Sequence, residues 1–218
     1  GSRAYDSTRT ASGSDLSFTN IVSGETLGLT GSGVLDSPAA GSRTIVNTNT
    51  LAISDGSGIA SNYTLTNGTL TMTIVPRSTT VSGTKTYDGT TNVASSNLTS
   101  FSNLAGSDTL SLSGTGTISS ADVGTGKTVN TSGLTIDNSS GVGSNYTLSA
   151  ATVNVTERVI GLSGVRAFDG TNNASSTDLS ISNLVSGENL TLSGSGTVPN
   201  ATVEMNKAIT LGLSLIHI

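Results

Sequence analysis

The sequence predicts an all-β protein built from tandem, small β-sandwich-like units of about 81 residues, with a β-grasp relation left open within that class. Three observations predict it. Short runs alternate apolar and polar side chains at the two-residue period of a strand with one buried face. Gly-rich and Asn/Asp-rich joints separate those runs at strand-and-turn spacing, and no helical period is sustained. Above all, three sequence blocks recur in one order.

The first block reads "AYDSTRTAS" at 4–12, "TYDGTTNVAS" at 86–95 and "AFDGTNNASS" at 167–176. Tyr5 lies 82 residues before Tyr87, which lies 81 before Phe168. The second block is "VSGETLGLTGSG" from Val22, "AGSDTLSLSGTG" from Ala105 and "VSGENLTLSGSG" from Val185. The third, "SNYTL", stands at 61–65 and 144–148 and is missing from the last copy. A fixed period of this length marks repeated structural units. The expected boundaries are 1–76 for a first copy without its opening strand, 77–158 for a complete second copy, and 159–212 for a third copy truncated at its C-terminus. Residues 213–218 form a tail.

Each block has a local reading. Tyr87 closes a strand with its ring against the core, while Asp88 accepts backbone amides in an Asx-type turn that Gly89 relaxes. Tyr5 with Asp6, and Phe168 with Asp169 and Gly170, repeat the arrangement. Ser7 in place of the glycine and Phe168 in place of the tyrosine imply that neither the glycine nor the phenolic hydroxyl is indispensable to the unit. "SSNLTSFSN" allows a short helical turn. "TLSLSG" places Leu110 and Leu112 on one strand face, "TLTMTIV" does so with Leu70, Met72 and Ile74, and "ATVNVTE" with Val153 and Val155. "SNYTL", carrying Asn62–Tyr63 and Asn145–Tyr146, precedes these closing strands. Every aromatic has a counterpart at the same repeat position (Tyr63 with Tyr146; Phe18 with Phe101 and then Ile181), so all are expected in cores.

On Tyr87-Asp88-Gly89-Thr90-Thr91, "DVGTGKTV" at 122–129 and "SNYTL", the chain resembles the YDG repeats of filamentous-haemagglutinin-like bacterial surface adhesins. The resemblance implies an all-β module set in tandem in a secreted, cell-surface protein, with neighbouring repeats as its partners. It carries over no catalytic residue. In the tail the order of the other copies is lost from Leu213, and "LSLIHI" matches a translated sequencing-adaptor end, which would remove His217 from the biology. Absence of the strands after Ile209 predicts exposed Leu190, Leu192 and Ile209 and local disorder.

Chemistry is sparse. The chain has no cysteine and one histidine, so Ser-His-Asp or Cys-His nucleophiles and the usual zinc sites are not expected. "DGSG" at 55–58 lacks the further acids of a calcium loop, and the glycine-rich stretches do not form a strand-to-helix phosphate loop. No catalytic residue, metal or cofactor is expected. A net charge of −5 with 9 Lys plus Arg leaves no basic stripe for nucleic acid. No apolar run approaches the ~18 residues of a spanning helix, so this segment is not expected to enter a membrane. The sequence opens at Gly1 without methionine, and targeting information is expected elsewhere. The expected role is a non-enzymatic stalk or spacer in a secreted bacterial adhesin. The alternatives are a module binding host or matrix glycans or proteins, and a threonine-ladder ice-binding or β-solenoid protein.

Overall fold

The computed structural model describes residues 1–66 and 70–217, with side chains described as far as Gly212. All the regular elements described are strands or single 3-10 turns. The first copy holds β1 (Ser2–Ala4), β2 (Thr10–Ser12), β3 (Leu27–Thr30), β4 (Ser32–Leu35), β5 (Gly41–Asn47), β6 (Ala52–Asp55) and β7 (Thr71–Val75). The second holds β8 (Arg77–Thr86), β9 (Asn92–Ala94), β10 (Leu98–Ser102), β11 (Leu110–Thr117), β12 (Gly124–Thr128), β13 (Leu134–Asn138) and β14 (Tyr146–Thr156). The third holds β15 (Gly161–Gly164), β16 (Asn173–Ser175), β17 (Leu179–Ser182), β18 (Leu190–Thr197) and β19 (Leu213–His217). A 3-10 turn at Ser95–Asn97 occupies the "SSNLTSFSN" stretch, with counterparts at Gly13–Asp15 and Ser176–Asp178.

The second copy shows the whole pattern. One sheet runs β10-β8-β14-β12 and the other β13-β11-β9. Alternation along β14 turns Ala151, Val153 and Val155 inward, where they lie buried with Val81, Val93, Leu98, Ile118 and Val129. The first copy reproduces it as β1-β7-β5-β4-β2 and β3-β6. There, β3 and β4 stand as separate strands on either side of Gly31, whereas the equivalent Gly114, also at positive φ, lies within continuous β11. The short β1 pairs in parallel with β7, Ala4 opposite Val75. β10 pairs with residues 80–83 of β8, which lie ahead of the stretch that β1 matches, and 16–20 carry no strand.

By backbone contacts the chain divides into two compact units, Gly1–Lys85 with Thr91–Val155, and Thr86–Thr90 with Thr156–Ile218. The five-residue segment containing Tyr87, Asp88 and Gly89 therefore belongs with the third copy. In the first unit one core cluster combines Tyr5, Ala11, Leu35, Ile45, Met72 and Ile74 with Ala105 and Tyr146 of the second copy. Within this unit the core of the first copy is completed by residues of the second.

In the third copy, β19 pairs with β18 from Leu190 opposite His217 to Gly194 opposite Leu213. That is the register in which β13 meets β11, from Leu110–Asn138 to Gly114–Leu134. The backbone ladder thus continues into the tail, and Leu190, Leu192 and Ile209 are half-buried rather than exposed as expected. Ile218 and the side chains of 213–217 lie outside the described residues. Among the described residues no strand takes the place of β14, and Leu162, Ala174, Leu179, Val198 and Ile209 line an open cleft. "TLTNGTLTMTIV" crosses 67–69, also outside the described residues; beyond them Thr71 and Thr73 face solvent on β7 while Met72 and Ile74 face inward.

Ile74 is fully buried and the adjacent Val75 is 43% exposed. Truncating a buried isoleucine to alanine costs about 2–5 kcal/mol. Urea denaturation of Ile74→Ala should show a loss in that range, against less than about 1 kcal/mol for Val75→Ala.

Candidate functional site

The Asp of each first block closes the same turn. Asp6, Asp88 and Asp169 accept the backbone amides of Thr8, Thr90 and Thr171 at 2.9, 2.9 and 2.8 Å. Each also accepts that threonine's hydroxyl at 2.9 Å. The residue between them takes a left-handed backbone, φ +65 at Ser7, +74 at Gly89 and +76 at Gly170, a conformation that glycine reaches without the strain a Cβ imposes. A cation two residues before the aromatic reinforces the turn: Arg3 pairs with Asp6, and Arg166 with Asp169 at 2.6 Å. Burial raises the Asp6 pKa, but the Thr8 amide and hydroxyl and the Arg3 guanidinium outweigh it and the net shift is downward. At Asp169 the Thr171 amide, Arg166 and the Thr171 hydroxyl pull the pKa to about 2.

The tyrosine ahead of the turn packs in its own copy's core at Tyr5 and extends its hydroxyl to the next copy. The Tyr5 hydroxyl donates to Asp108 Oδ2 at 3.1 Å, and Asp108 belongs to the second block of the next copy. Tyr146 donates to the same oxygen at 2.7 Å. The two rings meet edge to face, centroids 5.4 Å apart and planes at 77°, a favoured aromatic geometry. The Ala105 amide donates to the Tyr146 hydroxyl at 3.0 Å, and buried Asn145 accepts the Ala40 amide at 2.8 Å. One carboxylate thus takes hydroxyls from two copies. Burial first, then the bond to Asp108, pushes the Tyr146 pKa up to about 12 and raises that of Tyr5.

The second unit repeats the handover. Tyr87 donates to Glu188 of the third copy's second block. Gly89 is required by space as well as by φ, since a Cβ there would stand 2.7 Å from Val185 Cγ1. In the first unit the sizes are reversed. Ser7 fills the glycine position, and the facing loop is Ala105–Gly106, where a Cβ on Gly106 would come within 3.0 Å of Ser7 Oγ.

A second fastener accompanies the first. Arg77, opening β8, donates to the Asn103 carbonyl and Oδ1, both at 2.8 Å, and to the Tyr5 carbonyl at 3.2 Å. Arg158 clasps Asn183 in the same way at 2.6 and 2.7 Å. Asn20, Asn103 and Asn183 all sit at positive φ, +63, +59 and +65.

The expected site residues are now placed. Tyr5, Tyr146 and Asn145 meet in one buried cluster, and Tyr87 is half-buried against Glu188. In the first copy Tyr63 donates to Glu25, and Asn62 is exposed. Phe168 is 65% exposed, contrary to its expected place in a core: it lines the open cleft of the third copy and has no hydroxyl to bond an acid as Tyr5 and Tyr87 do. Asp55 of "DGSG" accepts the Ala60 amide at 2.7 Å, as Asn138 accepts Gly143 at 2.7 Å, so its role is to shape the "SNY" turn. Residue-by-residue reading missed Glu25, Asp108 and Glu188, and the Arg77 and Arg158 clasps. Their signal was an acid, and an arginine, returning at the repeat period.

The model of the YDG domain matches residues 1–72, 68–154 and 156–215. The chain belongs to the YDG-domain family. No curated protein and no solved structure matches it. The YDG domain is a non-catalytic repeat module. Among the described residues of these three YDG copies, no cluster of three or more His, Cys, Asp or Glu side chains could hold a metal ion, and no helix is long and apolar enough to cross a membrane.

Two titrations test this junction. Tyr146 has its folded pKa raised above the ordinary 10.0, so its contribution to stability is complete below pH 10 and is lost as pH rises through about 12. Alkaline unfolding followed by circular dichroism should show that loss, and Tyr146→Phe should flatten it. Asp169, depressed from 3.8 to about 2, should keep its charge in a carboxyl NMR titration until well below pH 3.8, and Arg166→Ala should move its midpoint upward. Replacing Asp108 by alanine strands two hydroxyls and should cost about 1–3 kcal/mol in urea denaturation.

Proposed function

We propose that this chain is a non-enzymatic stalk segment of a large, secreted bacterial surface adhesin, in which YDG units space and display other parts of the protein. The observation that carries the reading is the Tyr5–Asp108–Tyr146 junction, where the named motif of one copy fastens the next. A motif spent on joining copies serves mechanical continuity rather than ligand chemistry. The joints support it further: only Pro76 separates β7 from β8, with no flexible Gly/Ser spacer. Units roughly 30 Å across, joined this tightly, would add length steadily. The partners are neighbouring repeats of the same chain, and any host or matrix glycan or protein is met through the parent adhesin. The filamentous-haemagglutinin-like setting and the bacterial cell surface belong to this proposal.

A binding module is the competing reading, favoured by the exposed apolar side chains of the third copy, Val159, Val165 and Phe168. Small-angle scattering of the full chain, with a glycan array and a matrix-protein panel, separates the two. The stalk predicts an elongated profile and no saturable binding; a compact profile or saturable binding would reject it. Thermal hysteresis in the same samples would point instead to ice binding.

A further inference from the structure

The face of the first copy that carries Glu25 has the same parts as the two faces already filled. Glu25 holds the position of Asp108 and Glu188, and Tyr63 that of Tyr146. Tyr63 donates to Glu25 as Tyr146 does to Asp108. The Val22 amide donates to the Tyr63 hydroxyl at 3.2 Å, as the Ala105 amide does to Tyr146 at 3.0 Å. Occupancy differs. Ala105 is 3% exposed beneath the first copy, whereas Val22 is 61% exposed. Asn145 is 4% exposed and Asn62 open to solvent. Among the described residues Asp108 accepts tyrosines from two copies and Glu25 only from its own.

We infer that the Glu25–Tyr63 face is a docking site for the Tyr-Asp-Gly segment of a further YDG unit, whose tyrosine hydroxyl donates to Glu25. Size complementarity defines the third residue of that segment. Where the acceptor loop begins with alanine, at Ala105, the incoming turn carries Ser7. Where it begins with valine, at Val185, the incoming turn carries Gly89, whose absent Cβ would stand 2.7 Å from that valine. Val22 is of the valine kind, so the segment it accepts has glycine. The Phe168-Asp169-Gly170 segment of a second copy of this chain has the glycine but no hydroxyl for Glu25. Asn20, already at φ +63, also waits in the geometry in which Asn103 and Asn183 receive an arginine from the start of a copy.

The proposal rests on the tandem-array reading and deepens it. Its test extends the full chain with an added unit, residues 77–163 placed ahead of Gly1. The splice is in register: a Cβ on Gly1 would meet the Asp15 carbonyl at 2.0 Å, and one on Gly164 the Asp178 carbonyl at 1.9 Å, so the two glycines hold one position in the fold. Amide hydrogen exchange at Val22 is compared with and without the added unit. The expected result is at least tenfold slower exchange in the extended chain, with most of the slowing lost on Glu25→Gln, on Tyr87→Phe in the added unit, or on Gly89→Ala there. In the unextended chain Glu25→Gln should change Val22 exchange far less than the added unit does. Unchanged exchange on extension, or slowing that survives all three substitutions, would overturn the site. Scattering of the same extended chain keeps the readings apart: if it lengthens while Val22 is unaffected, the stalk stands and the docking site falls. Concentration-dependent association of the unextended chain that Glu25→Gln abolishes would assign the face to a second copy and also overturn the proposal.

Discussion

A carboxylate shared between tyrosines of successive copies is the constraint on which this protein's organisation depends. Asp108 is half-buried, and its Oδ2 receives one hydroxyl from the copy before it and one from its own. Charged hydrogen bonds of this kind are stronger than neutral ones and set geometry as well as energy. The T-shaped Tyr5–Tyr146 contact adds apolar area behind them. Neither partner copy can satisfy the arrangement alone.

The Asx turn and the hydroxyl bond divide the work. Asp6, Asp88 and Asp169 spend their oxygens on threonines two residues on, so the acid of the motif shapes its own backbone. The hydroxyl of the tyrosine before it is what reaches the next copy, from Tyr5 to Asp108 and from Tyr87 to Glu188. Left-handed backbone at the third position completes the reversal, and it is the side chain at that position, serine or glycine, that must agree in size with the receiving loop. Stability in such an array is a sum of terms within units and terms between neighbours. The Arg77 and Arg158 clasps belong to the first kind, each tying the start of a copy to its own Asn103 or Asn183, and Arg77 adds to the second by also reaching the Tyr5 carbonyl.

The third copy shows what happens when parts of this scheme are lacking. With no strand in the place of β14 among its described residues, its apolar side chains line a cleft, and Ala174 is its buried hydrophobic residue. Phe168, without a hydroxyl, lies exposed. Yet β18 still finds a ladder partner in β19, in the register of β11 with β13, because backbone pairing asks only for extended chain of the right length.

The all-β class, the three copies and the inward residues of β7 and β14 were legible in the sequence by itself, because strand alternation and repeat period are local or strictly periodic signals. Asp88 and Gly89 were legible as a turn for the same reason: their partners lie within two residues. What only the tertiary structure decided was where the aromatics go. Tyr5 looked like a core residue of its own copy and is one, clustered with Ala11, Leu35, Ile45, Met72 and Ile74, but its hydroxyl also serves the next copy, 103 positions away in sequence at Asp108. Period alone cannot distinguish a ring that packs within a copy from one that packs on its neighbour, since both recur at the same spacing; contact across the junction, and the acid waiting there, exist only once the chain is folded.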